Sequence, residues 1–157
     1  MEVKPGSCVY VMDNVISDEL CDTLKIVIDK TKRTKYEYNK HNNVLCESIT
    51  IRSIENQKFA KILGETRLHS DSVFSDSIEN LPKDSPIRRD VRKISVIIAL
   101  NGDYEGGEFY FPSQGIDKIK LKKGQAILFP PYWTHPHGVN KPENNTFRYT
   151  INTWLLE

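Results

Sequence analysis

Two histidines and an aspartate are the residues of this chain best suited to chemistry. His69 and Asp71 stand two apart in RLHSDS, and His137 lies far downstream in THPHGVNKPENNTFRYT. Two imidazoles and one carboxylate on a β scaffold make a facial set that holds Fe(II) and leaves coordination positions open for substrates. Residues two apart in a strand point to the same face, so His69 and Asp71 can offer a nitrogen and an oxygen to one ion. The third ligand has to come from a distant segment. His135 and His137 are also two apart, and spacing alone leaves the choice between them open. The chain has only four histidines, with His41 the remaining one, so three of them falling in two motifs is informative.

Arg148 follows His137 by eleven residues, within FRYTINTW. Its guanidinium is a rigid fork of donors that matches a carboxylate bidentately. Thr150 and Asn152 continue the same strand face, and the Thr150 hydroxyl could reach the same carboxylate. A metal site beside a carboxylate-binding arginine is what an oxygenase that consumes a 2-oxo acid requires. Taken singly, each feature has a plainer reading. The histidines could be loop or packing residues, with His135 under Trp133, and Arg148 could serve a surface ion pair worth little. The order HxD, His, Arg on a β background favours the site.

The elements that must position these residues are legible in outline. VYVMDNVI reads as a first strand. Ser17 then caps a helix whose stripe of Leu20, Leu24 and Ile28 runs to about Lys30. TKRTKYEYNKHNN suits an exposed loop or frayed strand, VLCESITIRSI a strand, and ENQKFAKIL a short helix ended by Gly64. Residues 72–90, with two prolines, read as a long loop, of a length that is usually either functional or disordered. KISVIIAL is a buried strand, and NGDYEGG turns into EFYFP. IDKIKL and QAILFP flank Lys122-Lys123-Gly124 as a hairpin, and FRYTINTWLL closes the chain. A helix pair followed by many short strands predicts a mainly β (α+β) fold, a sandwich or barrel with the amino-terminal helices on one face.

At 157 residues the chain is expected to be a single domain spanning 1–157. Its 22 basic and 21 acidic residues give a net charge of +1, which speaks against a nucleic-acid or membrane-surface partner. The first twenty residues lack a signal-peptide pattern, and no apolar run reaches membrane-spanning length, so a soluble, cytoplasmic monomer is expected. Cys8, Cys21 and Cys46 have no metal-type spacing and are expected to be buried or partly buried reduced thiols.

Together these residues resemble the Fe(II)- and 2-oxoglutarate-dependent dioxygenases, and within them the prolyl 4-hydroxylase-like branch. The resemblance runs from VYVMDNVISDELCDTL to the closing strand. It is strongest in LHSDS, RKISVIIALNGDYEGGEFYF, KKGQAILFPPYW and HGVNKPENNTFRYTINTW. It implies a double-stranded β-helix, a jelly-roll or cupin-like core. It also implies that His69, Asp71 and His137 bind catalytic iron, with His137 preferred over His135 because Val139 completes a His-x-Val pattern. Arg148 becomes the anchor for the far carboxylate of 2-oxoglutarate, with Thr150 assisting. Fe(II), the co-substrate 2-oxoglutarate, O2 and supporting ascorbate are the implied cofactors, and succinate and CO2 the implied products beside a hydroxylated substrate.

Two departures from the resemblance bear on the site. The step from His137 to Arg148 is one residue longer than usual, which requires a bulge or wider turn around KPENN. The tyrosine that often precedes HxD is replaced by Gly64-Glu65-Thr66-Arg67-Leu68, leaving Tyr36, Tyr132 or no residue for that role. The loops at 32–44 and 72–90 are expected to flank the pocket, with Tyr36, Tyr38 and Trp133 lining a groove. A prolyl residue in a protein or peptide leads as substrate over a free amino acid or other small molecule. The competing classes are a non-catalytic metal- or sugar-binding β-sandwich and an adaptor that merely displays its loops.

Overall fold

The closing strand, β12 (Arg148–Leu156), divides the protein into a structural face and a chemical face. Tyr149 and Ile151 point outward and pack with Cys21, Ile28 and Leu100. Arg148, Thr150, Asn152 and Trp154 alternate with them and line a cavity on the inner face. The computed structural model describes residues 6–38, 43–50, 58–71 and 91–156. The expected loop at 72–90 and His41 lie outside them.

Before β12 the chain forms β1 (Tyr10–Met12), α1 (Asp18–Lys30), β2 (Thr34–Tyr36), β3 (Val44–Thr50) and β4 (Lys58–His69). There follow β5 (Arg92–Ala99), β6 (Glu105–Gly106), β7 (Phe109–Phe111), β8 (Ile116–Ile119), β9 (Ala126–Phe129), β10 (His137–Val139) and β11 (Pro142–Glu143). The main sheet runs β1-β9-β5-β12-β4-β10-β7-β8, with β3 and β2 added beside β4. Strand β4 is shared by the two halves of this curled sheet. Its first part pairs with β12, as in Arg148 opposite Ile62, and its last part pairs with β10, where His137 lies opposite His69. Phe109, Phe111, Ile119 and Val139 from one half meet Ala99, Ile127 and Phe129 from the other in the main apolar core. This is the jelly-roll-like arrangement expected of a double-stranded β-helix.

Helix α1 starts where Ser17 accepts a hydrogen bond from the Leu20 amide at 3.3 Å, with Asp18 and Glu19 in the first turn. It packs on the outer face of β12. At its far end Asp29 accepts hydrogen bonds from the Tyr149 hydroxyl and from Lys61 and Arg33. The Tyr149 contact ties the helix to the outer face of the strand that carries Arg148.

Three expectations are corrected. The helix expected over ENQKFAKIL is strand from Lys58 onward, so α1 is the one α-helix among the described residues. Ala60, Ile62 and Gly64 turn inward at period two, and β3 and β12 hydrogen-bond to both edges, overriding the helical propensity of the segment. Gly64 is no helix stop. A Cβ there would lie 2.7 Å from Tyr38 Oη and 2.9 Å from Leu45 Cβ, so glycine permits a close approach inside the sheet. The expected hairpin of IDKIKL with QAILFP is also absent: β8 pairs with β7, whereas β9 pairs with β5 and β1, at the opposite end of the sheet. The Lys122–Gln125 turn therefore carries the chain between the two halves. Lastly, Cys21 and Cys46 are buried free thiols but Cys8 is exposed, because the chain turns Val9 inward instead. Among the described residues no helix is long and apolar enough to cross a membrane.

Candidate metal and co-substrate site

His69, Asp71 and His137 converge, their ligating atoms all within 4.8 Å of one another. Asp71 Oδ1 lies 3.4 Å from His69 Nε2 and 4.0 Å from His137 Nε2. Ligand atoms bound to one metal at right angles lie about 3 Å apart, so only a small closure separates this arrangement from a coordination site. Each imidazole is already oriented for it. His69 Nδ1 lies 2.8 Å from the Arg67 carbonyl, and His137 Nδ1 lies 3.1 Å from the His135 carbonyl. A carbonyl only accepts, so each Nδ1 carries the proton and each Nε2 presents its lone pair to the cluster.

The electrostatics fit a cation. Burial pushes the Asp71 carboxyl up, but the facing His69 and His137 rings in their protonated forms and the hydrogen bond from Ser95 outweigh it and hold the group well below the usual carboxylate range. Burial pulls His69 down, yet the Asp71 carboxylate and the Arg67 carbonyl raise it overall. His137 is pushed down to about 4, chiefly by burial, against the attraction of Asp71. It sits between Phe111 and Phe129, with ring centroids 5.5 and 4.4 Å away. His135 does not join the cluster: its Nε2 lies 2.9 Å from the Ser7 carbonyl and its Nδ1 2.9 Å from the Thr134 hydroxyl.

The cluster opens into a cavity of about 330 Å³ that also holds Arg148 and Thr150. Arg148 is 3 % exposed, and its guanidinium packs over Phe109, 4.7 Å from the ring centroid. Burial lowers its pKa from the ordinary value, opposed by the Tyr104 hydroxyl that accepts its hydrogen bond. Tyr104 in turn donates to the Leu121 carbonyl at 3.1 Å. Gly107, at φ +68°, makes room for the arginine stem, since a Cβ there would lie 2.6 Å from Arg148 Cδ. Among the described residues no carboxylate pairs with Arg148. The Thr150 hydroxyl, also on the inner face, makes no hydrogen bond among them. A buried cation and a buried hydroxyl on one wall of a cavity fit an anionic ligand.

The wider turn required between His137 and Arg148 is present. The chain leaves β10, pairs β11 with β6, and reverses at Asn144 and Asn145, both left-handed at φ 51° and 56°. Thr146 closes the turn with a 2.9 Å hydrogen bond to the Glu143 carbonyl. Asparagine is among the few residues that tolerate this backbone, which suits the NN pair in KPENN.

Of the aromatic residues expected around the pocket, Tyr36 lines the cavity. Tyr38 instead donates to the Glu65 carbonyl at 2.6 Å, and Trp133 is 82 % exposed away from the cavity lining. Tyr132 is likewise absent from the lining, which leaves Tyr36 of these two candidate tyrosines. Two lining residues escaped the sequence reading. Ser95 and Trp154 both donate to Asp71 Oδ2, the latter at 3.2 Å. Trp154 carries a readable signal, being the next position on the Arg148, Thr150, Asn152 face.

The sequence profile of the 2OG-Fe(II) oxygenase superfamily matches residues 58–156, a span that contains the His-Asp-His cluster and Arg148. The chain belongs to this superfamily of 2-oxoglutarate-dependent dioxygenases. Its fold is also that of solved prolyl hydroxylases. The viral collagen prolyl hydroxylase of Paramecium Bursaria Chlorella virus-1, in its 2OG complex, superposes with a TM-score of 0.67 at 19% identity, covering 99% of each chain. The Trichoplax adhaerens prolyl hydroxylase, solved with a hypoxia inducible factor peptide fragment, gives 0.66 at 16% identity over 95% of this oxygenase and 83% of that chain. A Pseudomonas putida prolyl-4-hydroxylase gives 0.63 at 13% identity over 94% and 91%. Among curated proteins, the serine/threonine-protein kinase shk1/pak1 of Schizosaccharomyces pombe is 24% identical over 112 residues. Those residues are 71% of this chain, which spans only 15% of the kinase's length.

Proposed function

We propose that this oxygenase holds Fe(II) through His69, Asp71 and His137, binds 2-oxoglutarate against Arg148 and Thr150, and hydroxylates a prolyl residue in a protein or peptide. The observation that carries the reading is Arg148: a guanidinium buried without a carboxylate partner among the described residues, in the same cavity as a convergent His-Asp-His cluster. Burying such a charge is costly unless a ligand pairs with it, and a dicarboxylic co-substrate supplies that partner.

Bound Fe(II), with 2-oxoglutarate and O2, supplies the oxidising chemistry that converts 2-oxoglutarate to succinate and CO2 while a substrate C–H bond is hydroxylated. The protein's part is placement. Arg148 and Thr150 anchor the far carboxylate, and Phe109 and Val139 keep that end of the cavity apolar. His69 and His137 present their Nε2 lone pairs without needing to reorient. Ascorbate serves as the reductant that sustains turnover, and the chain acts as a single domain.

The prolyl assignment draws support from the fold neighbours, one of them solved with a peptide. The test is a panel of proline-containing peptides and free amino acids with Fe(II), 2-oxoglutarate and ascorbate, read by mass spectrometry and succinate release. A gain of one oxygen on a prolyl residue, matched by succinate, is the expected result. Oxidation of free amino acids with every peptide untouched would overturn the peptidyl-prolyl assignment.

A further inference from the structure

The Asp71 carboxylate is engaged on two sides. Oδ1 faces the two imidazoles, while Oδ2 faces away and accepts hydrogen bonds from Ser95 Oγ and Trp154 Nε1. These donors are cross-strand partners, Trp154 of β12 standing opposite Ser95 of β5. Asp71 itself lies beyond the end of β4 at His69, so no strand ladder fixes its backbone. Both donors are well held: Ser95 is 1 % exposed, and the Arg92 guanidinium stacks 3.9 Å from the Trp154 ring centroid. The Ser95–Trp154 pair therefore sits on one half of the sheet and grips a residue whose neighbours in the cluster, His69 and His137, belong to the β4–β10 junction.

We propose that Ser95 and Trp154 are positioning residues that lock Asp71 as a one-oxygen metal ligand. This rests on the reading of His69, Asp71 and His137 as the metal ligands. The physical reason is the count of coordination positions. A facial triad binding through one atom per residue leaves three positions of an octahedron open, enough for a chelating 2-oxo acid and O2. A carboxylate binding through both oxygens would take one of those three. With two hydrogen bonds on Oδ2, only Oδ1 is available, and the open positions are kept. Hydrogen-bonding partners of a ligating carboxylate commonly shift metal affinity by roughly 10–100-fold.

The experiment uses Co(II) titrations of the full chain, recording both affinity and the visible absorption spectrum. Wild type is compared with Ser95→Ala, Trp154→Phe, the double variant, the conservative Ser95→Thr, and His69→Ala as control. The expected result is tight binding by wild type, none by His69→Ala, weakening of roughly 10–100-fold in the double variant with an altered Co(II) spectrum, and recovery in Ser95→Thr. If wild type fails to bind, or His69→Ala binds equally well, the ligand reading itself fails. If wild type binds, His69→Ala does not, and the double variant keeps wild-type affinity and spectrum, the positioning role is overturned. Should the double variant lose its fold by circular dichroism, Ser95→Ala and Trp154→Phe are read against Ser95→Thr. Unchanged spectra in all three would equally overturn it.

Discussion

His69 and His137 face each other in register on β4 and β10, with ring centroids 4.5 Å apart. Both donate Nδ1–H to the carbonyl two residues before them, so both aim Nε2 at the same point. Two antiparallel strands in register thus bring together residues far apart in the chain. Asp71, two residues on from His69, adds the oxygen from just past the strand.

Removing a ligand should abolish metal binding without unfolding the chain. His69→Ala and Asp71→Ala take away groups at the cavity, not members of the apolar core. Mn(II) affinity, followed by electron paramagnetic resonance, should fall by more than the roughly 100-fold typical of outer-shell changes, with circular dichroism unchanged. His135→Ala should leave Mn(II) affinity at the wild-type value, because that ring bonds the Ser7 carbonyl. Loss at His135 with retention in a His137 variant would reverse the assignment.

Arg148→Met should separate co-substrate binding from metal binding. Losing one partner of a buried charge pair costs about 2–5 kcal/mol, so Mn(II)-dependent affinity for 2-oxoglutarate should drop by roughly 30-fold or more while Mn(II) affinity holds. The ligand-free variant should melt at or above the wild-type temperature, since a buried unpaired charge is replaced by an apolar chain of similar length. Thermal melts with and without 2-oxoglutarate read both effects. Equal weakening of metal and co-substrate would place the role of Arg148 elsewhere.

The metal-free protein should lose stability on mild acidification through His137. Its folded value is about 4 against an ordinary 6.5, so between these the unfolded state takes up the proton and the folded state does not. Stability therefore falls as the pH drops from about 6.5 towards 4. His69 is shifted upward, so its contribution is full below about 6.5 and is lost on the alkaline side as pH rises through its raised value. Asp71, shifted downward from 3.8, gives way only at still lower pH. In His137→Phe an uncharged ring replaces the imidazole between Phe111 and Phe129, and the acid-side loss should shrink. Urea midpoints at pH 6.5 and 4.5 measure it; an undiminished loss in the variant would exclude His137 as its source.

Local spacing made the site readable in the sequence: HxD on a strand end, a distal histidine, and an arginine sharing a strand face with Thr150. What escaped was set by long-range pairing. The residues of β4 have mixed propensities, and only β3 and β12 on its two edges make KFAKIL a strand. The Lys122-Lys123-Gly124 turn looks like a hairpin tip, yet the strands it joins belong to different halves of the sheet. Ser95 sits in an apolar run whose inward face cannot be chosen until its partner Trp154 is known. The register of β5 with β12 supplies that partner.

Fe(II)-dependent conversion of 2-oxoglutarate to succinate, measured side by side in wild type and His69→Ala, tests the central claim most directly. Succinate formed by wild type with Fe(II), ascorbate and O2, and absent from the variant, is the result this account predicts. Equal succinate from both proteins, or none from wild type together with no Mn(II)-dependent binding of 2-oxoglutarate, would contradict it.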